Sequence, residues 1–312
     1  MKVFIFPGQG SQSVGMGKAL AENFQEAREV FQEVDEALAF NLSKLMFDGP
    51  IETLTMTEHT QPALMAVSMA VIRIMQKQGG LTLDQVCRYV AGHSLGEYTA
   101  LAAADAFSLS DCAKILQIRG RAMQAAVPGG IGGMVALIGV TPEDAAALAR
   151  DAAGGQVCQL ANDNGGGQIV ISGHMEAMDR AIELAGQRGI KRAIKLPVSA
   201  PFHSALMEPA AKAMEEALAA VKLRSPIVPV VANVTVEPVT DPDTIRALLV
   251  KQVCGQVRWR ETVEFFKKQD IQECYEIGSG KVLSGLVKRI EKELPCTSIE
   301  SPQEIEALLL KV

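Results

Sequence analysis

The chain has 312 residues, 48% of them apolar and 21% charged, with a formal net charge of −6 at pH 7 and a pI near 5.4. These proportions exclude a disordered or fibrous chain, and the acidic balance argues against a general affinity for nucleic acid or an anionic membrane. At roughly 150 residues per domain, the length predicts two units or one enlarged one.

In chain order, residues 2–6 read as a buried strand that runs into Pro7-Gly8-Gln9-Gly10-Ser11-Gln12. Backbone N–H groups exposed there, with Gln9 beside them, suit negative charge on a substrate; the plain alternative is a flexible turn. Gly8, Gly10 and Gly15 do not have the G-x-G-x-x-G spacing, so nucleotide binding is not indicated. Residues 18–38 carry Leu20, Phe24, Ala27, Val30, Phe31 and Val34 at helical spacing. His59 reads as a loop histidine. Thr60-Gln61-Pro62 opens a helix over 63–76 that stops at Gly79-Gly80; Gln61 at its mouth reads as polar lining or as a cap, with the cap favoured.

Residues 87–91 are strand formers, and 97–104 form an alanine-rich helix. Between them Gly92, Ser94 and Gly96 fit G-x-S-x-G, the nucleophile elbow, in which small neighbours let the chain turn tightly and hold a serine hydroxyl out at a helix N-terminus. Ser110-Asp111 caps a helix to about residue 126. Arg119 and Arg121 lie two apart on it and so face different directions; each reads from the sequence alone as a surface charge.

A glycine-rich hinge over 127–133 precedes a change of rhythm. Strands over 134–140, 156–160, 168–172 and 190–196, with helices to 153 and over 175–187, give β-α-β-β-α-β, the split pattern of a ferredoxin-like unit. Residues 162–167 read as a hairpin turn, with Asn162 able to face the larger unit. The main domain resumes at Pro197, which makes the division 1–127 plus 197–312 around 128–196. The loop 197–204 holds two prolines and His203, the most plausible base, because His93 points away from its own serine and His59 and His174 flank helix starts. A helix over 205–223, a strand over 228–234, helices over 243–252 and 259–268, a strand over 272–277, a helix from 282 and a tail over 305–310 complete the chain. The six cysteines, Cys87, Cys112, Cys158, Cys254, Cys274 and Cys296, have neither zinc-site nor disulfide-framework spacing. No apolar run reaches signal-peptide or membrane-span length, so a reduced, cytoplasmic protein is expected.

Taken together, Pro7-Gly8-Gln9-Gly10-Ser11-Gln12, Thr60-Gln61-Pro62-Ala63-Leu64, Gly92-His93-Ser94-Leu95-Gly96-Glu97, Arg119-Gly120, Phe202-His203-Ser204, Gln252 before Val257-Arg258-Trp259, and Glu276-Ile277-Gly278 closely resemble the malonyl-CoA:acyl carrier protein transacylases of bacterial fatty acid synthesis. The resemblance spans nearly the whole chain. It implies an α/β-hydrolase-like large domain around the ferredoxin-like insert. It also implies Ser94 as nucleophile, His203 as base, the backbone N–H groups of Gln9 and Leu95 as oxyanion hole, and Arg119 against the malonyl carboxylate. Gln252 would orient His203 through its backbone carbonyl in place of a triad acid. Malonyl-CoA and holo-acyl carrier protein are the implied partners, for a monomer needing no metal and no cofactor.

Asp105 stands where many relatives have glycine, at a position that wants a left-handed residue. Phe202 before the histidine goes, in related acyltransferase domains, with malonyl substrates. Asp163 lies between Ser94 and His203 in chain order, as a triad acid would, and is expected to matter little. Two basic clusters, Lys191, Arg192 and Lys195, and Lys281, Lys288 and Arg289, are candidates for docking an acidic carrier protein. The competing readings are a serine esterase or thioesterase, a degenerate acyltransferase acting as a docking module, and an acyltransferase serving a polyketide synthase.

Overall fold

The computed structural model describes residues 1–198 and 200–311; Ser199, in the two-proline loop, and Val312 lie outside the description. In chain order the strands are β1 (Lys2–Phe6), β2 (Tyr89–Gly92), β3 (Gly132–Ile138), β4 (Cys158–Asp163), β5 (Gln168–His174), β6 (Arg192–Lys195), β7 (Val230–Val231), β8 (Pro238–Val239), β9 (Glu273–Ile277) and β10 (Cys296–Ile299). They form two sheets in a mixed α/β fold.

The larger sheet has the order β10-β9-β1-β2-β7-β8 and is parallel except for β8. Val3 to Phe6 in its centre are fully buried. Helices cover both faces of such a sheet, so an unbroken apolar run, not an alternating one, marks its central strand. The smaller sheet, in the order β4-β5-β3-β6, is antiparallel. Its six elements come in the order read from the sequence. Alternation divides its two faces: Val135 and Leu137 pack with Leu148, Ile171 and Met178 under the helices Pro142–Ala153 and Met175–Gln187, while Met134 and Ala136 join the core of the larger unit.

Several sequence expectations are corrected. The helix over 18–38 is two helices, Lys18–Asn23 and Gln25–Leu38, broken where Phe24 turns extended (φ −127°, ψ 129°) with its ring buried. The long helix is Thr57–Gly79 and holds Pro62 in its interior, not at its start. Pro62 is the sixth residue of the helix, past its first turn, and its missing N–H leaves the Glu58 carbonyl without a helical donor. His59 is therefore helical; its Nδ1 lies 2.9 Å from the Thr53 carbonyl oxygen and its ring stacks on Phe40 at 5.0 Å. The next helix, Leu109–Ala125, is capped by Ser108, whose side chain accepts from the Asp111 N–H, not by Ser110. The strand expected over 228–234 shrinks to β7, with Pro229 before it. After the two-proline loop a 3-10 turn, Ala205–Met207, leads into the helix Glu208–Ala219. Sequence reading missed the short helices Leu42–Asp48, Ile51–Leu54 and Leu83–Val86, and the strands β8 and β10.

Asp105 does take a left-handed conformation, φ 61°. It closes the elbow helix Leu95–Ala103: the Asp105 N–H donates to the Ala102 carbonyl and the Ala106 N–H to that of Leu101, the paired bonds of a Schellman ending. Among the described residues no helix is long and apolar enough to cross a membrane.

Candidate active site

The parallel pair β1 and β2, with Phe6 opposite Gly92, ends on one side in the Gln9 loop and on the other in the elbow, where sites of α/β sheets lie. Space dictates the two glycines. A Cβ on Gly92 would sit 2.0 Å from the Gly96 carbonyl, and one on Gly96 would sit 2.2 Å from the Phe6 carbonyl oxygen. Ser94 between them has φ 55° and ψ −108°, a conformation that costs about 1–3 kcal/mol and persists only when its surroundings impose it.

The elbow delivers the Ser94 hydroxyl to within 2.8 Å of His203 Nε2. His203 comes from the loop after β6, itself at φ 56°. Its Nδ1 lies 2.9 Å from the Gln252 carbonyl oxygen and 3.1 Å from that of Gly255. Two carbonyls accept only, so Nδ1 carries the hydrogen and Nε2 keeps its lone pair for the serine proton. The imidazole is 3% exposed. Burial first, and then the nearby Arg119 charge, pull its pKa down to about 3, which leaves it neutral and able to act as a base.

Arg119 is 1% exposed. Its Nη1 donates to Gln61 Oε1 at 2.8 Å, and its Nη2 donates to Gln252 Oε1 at 2.8 Å and to Ser94 Oγ at 3.1 Å. The guanidinium also lies 5.3 Å from the centre of the Tyr98 ring. Among the described residues Nε has no hydrogen-bond partner and no carboxylate lies within ion-pair distance. The reading of Arg119 as a surface charge and that of Gln61 as a cap are both overturned. Gly120 explains how the two meet: a Cβ there would lie 2.5 Å from Glu58 Cα, so the helices Thr57–Gly79 and Leu109–Ala125 touch backbone to backbone. Arg121, on the other face, is exposed and paired with Glu58 at 2.6 Å.

Behind the pair lies a buried polar network that sequence reading missed apart from the Gln252 backbone. Gln252 Nε2 donates to the Ser94 carbonyl at 2.9 Å and to Glu97 Oε2 at 2.8 Å, so its amide stands between Glu97 and Arg119. Burial pushes the Glu97 carboxyl up to about 7, opposed by the Gln252 hydrogen bond. Asn233 completes the network on the elbow side. The only sequence signal for it is an amide that ends the apolar run Val230-Val231-Ala232.

In front of the pair is a cavity of about 130 Å³ lined by Gln9, Leu95, Met123, Met134, Asn162 and Phe202, with Ser94, Arg119 and His203 at its base. The N–H groups of Gln9 and Leu95 make no hydrogen bond to another described residue, so both remain available to an oxyanion. Asn162 does face the larger unit, and Asn164 Oδ1 lies 2.9 Å from His93 Nε2. Asp163 does not meet His203. Its Oδ2 accepts from Arg260 at 2.8 Å and its Oδ1 from the Gly165 N–H at 3.2 Å. Asp163→Asn should therefore leave kcat within about threefold of the unchanged enzyme while costing about 1–3 kcal/mol in denaturant unfolding; a loss near 10⁴ in kcat would make it a triad acid.

In the basic clusters, Lys195 pairs with Asp179 at 2.6 Å and Lys281 with Glu304 at 3.7 Å, while Lys191, Arg192 and Lys288 are exposed.

Residues 3–277 match the acyl transferase domain family. The malonyl CoA-acyl carrier protein transacylase of Salmonella typhimurium is 44% identical over 306 residues, 98% of each chain. That of Bacillus subtilis is 43% identical over 304 residues, 97% of this chain and 94% of the relative. The crystal structure of an acyl-carrier-protein-S-malonyltransferase from Bartonella henselae superposes with a TM-score of 0.97 at 56% identity, covering 99% of this chain and 98% of the other. A malonyl-transacylase in complex with its type II PKS acyl-carrier protein superposes with a TM-score of 0.96 at 39% identity, covering 100% of this chain and 99% of the other. With these similarities running end to end, the chain is an acyltransferase and belongs to the acyl transferase domain family, among the malonyl CoA-acyl carrier protein transacylases.

Proposed function

We propose that this chain moves a malonyl group from malonyl-CoA to the phosphopantetheine thiol of holo-acyl carrier protein through a malonyl ester on Ser94, supplying the extender unit for fatty acid synthesis. The observation that carries the reading is a buried guanidinium beside the nucleophile that, among the described residues, has no carboxylate in ion-pair contact, Glu97 being held off by the Gln252 amide. Such a cation is costly unless an anion completes it, and a malonyl group bound by its thioester end at Ser94 brings its free carboxylate to that place. A planar guanidinium can hold it through two parallel hydrogen bonds.

In the first half-reaction Ser94 Oγ attacks the thioester carbonyl as its proton passes to His203 Nε2. The resulting oxyanion is held by the Gln9 and Leu95 N–H groups. As the tetrahedral centre collapses, the C–S bond breaks and the CoA sulfur takes the proton from His203. The second half repeats the sequence with the pantetheine thiol as nucleophile and Ser94 as leaving group, giving ping-pong kinetics. The carbonyls of Gln252 and Gly255 steady the imidazole in the tautomer this requires.

The architecture fits the same reading. Residues 1–127 and 197–312 form an α/β-hydrolase-like catalytic domain, and 128–196 a ferredoxin-like subdomain that closes the pocket; the strand order β6-β3-β5-β4 supports the second assignment. Incubation with malonyl-CoA followed by intact mass tests the proposal. The expected result is one malonyl adduct on Ser94, discharged rapidly by holo-acyl carrier protein and slowly by water. No adduct would overturn the proposal, and equally fast discharge to water would make the enzyme a thioesterase.

A further inference from the structure

We propose that the side chain of Asn233 is a positioning residue for the nucleophile: it stands in for a peptide group in the β2–β7 ladder and holds Ser94 in its strained conformation. The inference rests on the acyl-transfer reading of Ser94. Backbone pairing of these parallel strands runs from Val90 opposite Val230 to Ala91 opposite Val231. The same register, continued, sets His93 opposite Asn233. In a parallel ladder the residue opposite His93 donates its N–H to the carbonyl before His93 and accepts from the N–H after it. Those two groups belong to Gly92 and Ser94.

The backbone of Asn233 has left the ladder. Its N–H donates to Glu97 Oε2 at 3.1 Å, and its carbonyl accepts from the Arg258 N–H at 3.1 Å. The chain has turned there, with the Val236 N–H on the Ala232 carbonyl. The side-chain amide makes both missing bonds instead. Nδ2 donates to the Gly92 carbonyl at 2.7 Å, and Oδ1 accepts from the Ser94 N–H at 2.8 Å. These partners fix which end of the amide is which, since only a donor suits the first and only an acceptor the second. Asn233 is fully buried. Gln252 Nε2 holds the Ser94 carbonyl at 2.9 Å, so both peptides flanking the serine are tied to side-chain amides. The side-chain amide thereby carries the ladder past the point where the β7 backbone turns away, and Ser94 Oγ lies 2.8 Å from His203 Nε2.

The test measures the rate of Ser94 malonylation by rapid quench and intact mass in the full chain, from roughly pH 8 to roughly pH 5, beside far-UV circular dichroism and thermal melting. Asn233→Ala is expected to fold and to lose about 10²-fold in acylation rate, with the half-saturating malonyl-CoA concentration changed by less than about threefold. Asn233→Asp separates positioning from bulk. Its carboxylate can accept from Ser94 but opposes the Gly92 carbonyl, whereas its protonated form restores both bonds. Its rate relative to the unchanged enzyme should therefore climb as the pH falls. Glu97, His93, His203, Arg119 and Arg258 surround the position in both proteins, so the ratio isolates the new carboxyl.

An alanine variant within about threefold of the unchanged rate overturns the proposal, as does a flat ratio for Asn233→Asp. Failure of both variants to fold at every pH also overturns it, because the amide would then be a strut of the sheet and not of the serine. If the unchanged enzyme takes up no malonyl group, the acyl-transfer reading falls instead, and fluorophosphonate labelling of Ser94 reads the same ratio.

Discussion

His203→Ala is expected to lower the rate of Ser94 acylation by roughly 10⁴-fold, because the serine loses its only base and the leaving sulfur its proton donor. The fold should survive, since among the described residues the imidazole hydrogen-bonds only to Ser94 and to the carbonyls of Gln252 and Gly255. The same geometry sets the acid side of the pH profile. The reactive form is the neutral imidazole, and its pKa is held down to about 3. Lowering the pH through the ordinary histidine range should therefore leave kcat/KM for malonyl-CoA level, with the fall coming only toward about 3. A fall centred near 7 would place control with Glu97, whose carboxyl burial raises to about 7.

Arg119→Ala should reduce malonyl transfer by about 10³-fold, the scale of two charge-assisted hydrogen bonds in a buried site. Transfer of an acetyl group, which has no carboxylate, should be kept or increased, because the unpaired cation that opposed it is gone. Comparing the two thioesters on the purified variant decides the matter, and nearly normal malonyl transfer would remove Arg119 from substrate recognition. Lysine should rescue poorly. Arg119 reaches Gln61, Gln252 and Ser94 from one planar fork, which a point ammonium on a flexible stem does not reproduce.

The elbow was legible because its demands are local: a strand, two glycines at fixed spacing and a helix are all written within Tyr89 to Ala103. His203 was reached by comparing the four histidines of the chain, whereas the Gln252 carbonyl became legible only with the resemblance, since it has no local signature. Arg119 shows where residue-level reasoning stops. Helical spacing says that Arg119 and Arg121 diverge, but which of them turns inward depends on Gly120 meeting Glu58 across another helix. Gln61 was misread because the proline after it imitates a helix start. The roles of Glu97 and Asn233 were illegible for a further reason: they arise where β7 stops pairing, and the amide that ends Val230-Val231-Ala232 is followed by Val234 and Thr235, which read as more strand. Short edge elements failed too, as with the four-residue β10, whose Cys-Thr-Ser-Ile carries little apolar signal.

The nesting of Gly92, Gly96 and the Phe6 carbonyl has a consequence for how this enzyme could be retuned. Main chain from β1, the elbow and the elbow helix meets there at touching distance, so the spacing between the Gln9 and Leu95 amides is set by backbone alone. The cavity wall, in contrast, is side chain: Met123, Met134, Leu196, Val198 and Phe202 around Arg119. In the proposed acyl transfer, choice of cargo and handling of the reacting carbonyl then fall to separable parts of the molecule. Exchanging wall residues can reshape the cargo space while the carbonyl's seat stays where three stretches of backbone lock it.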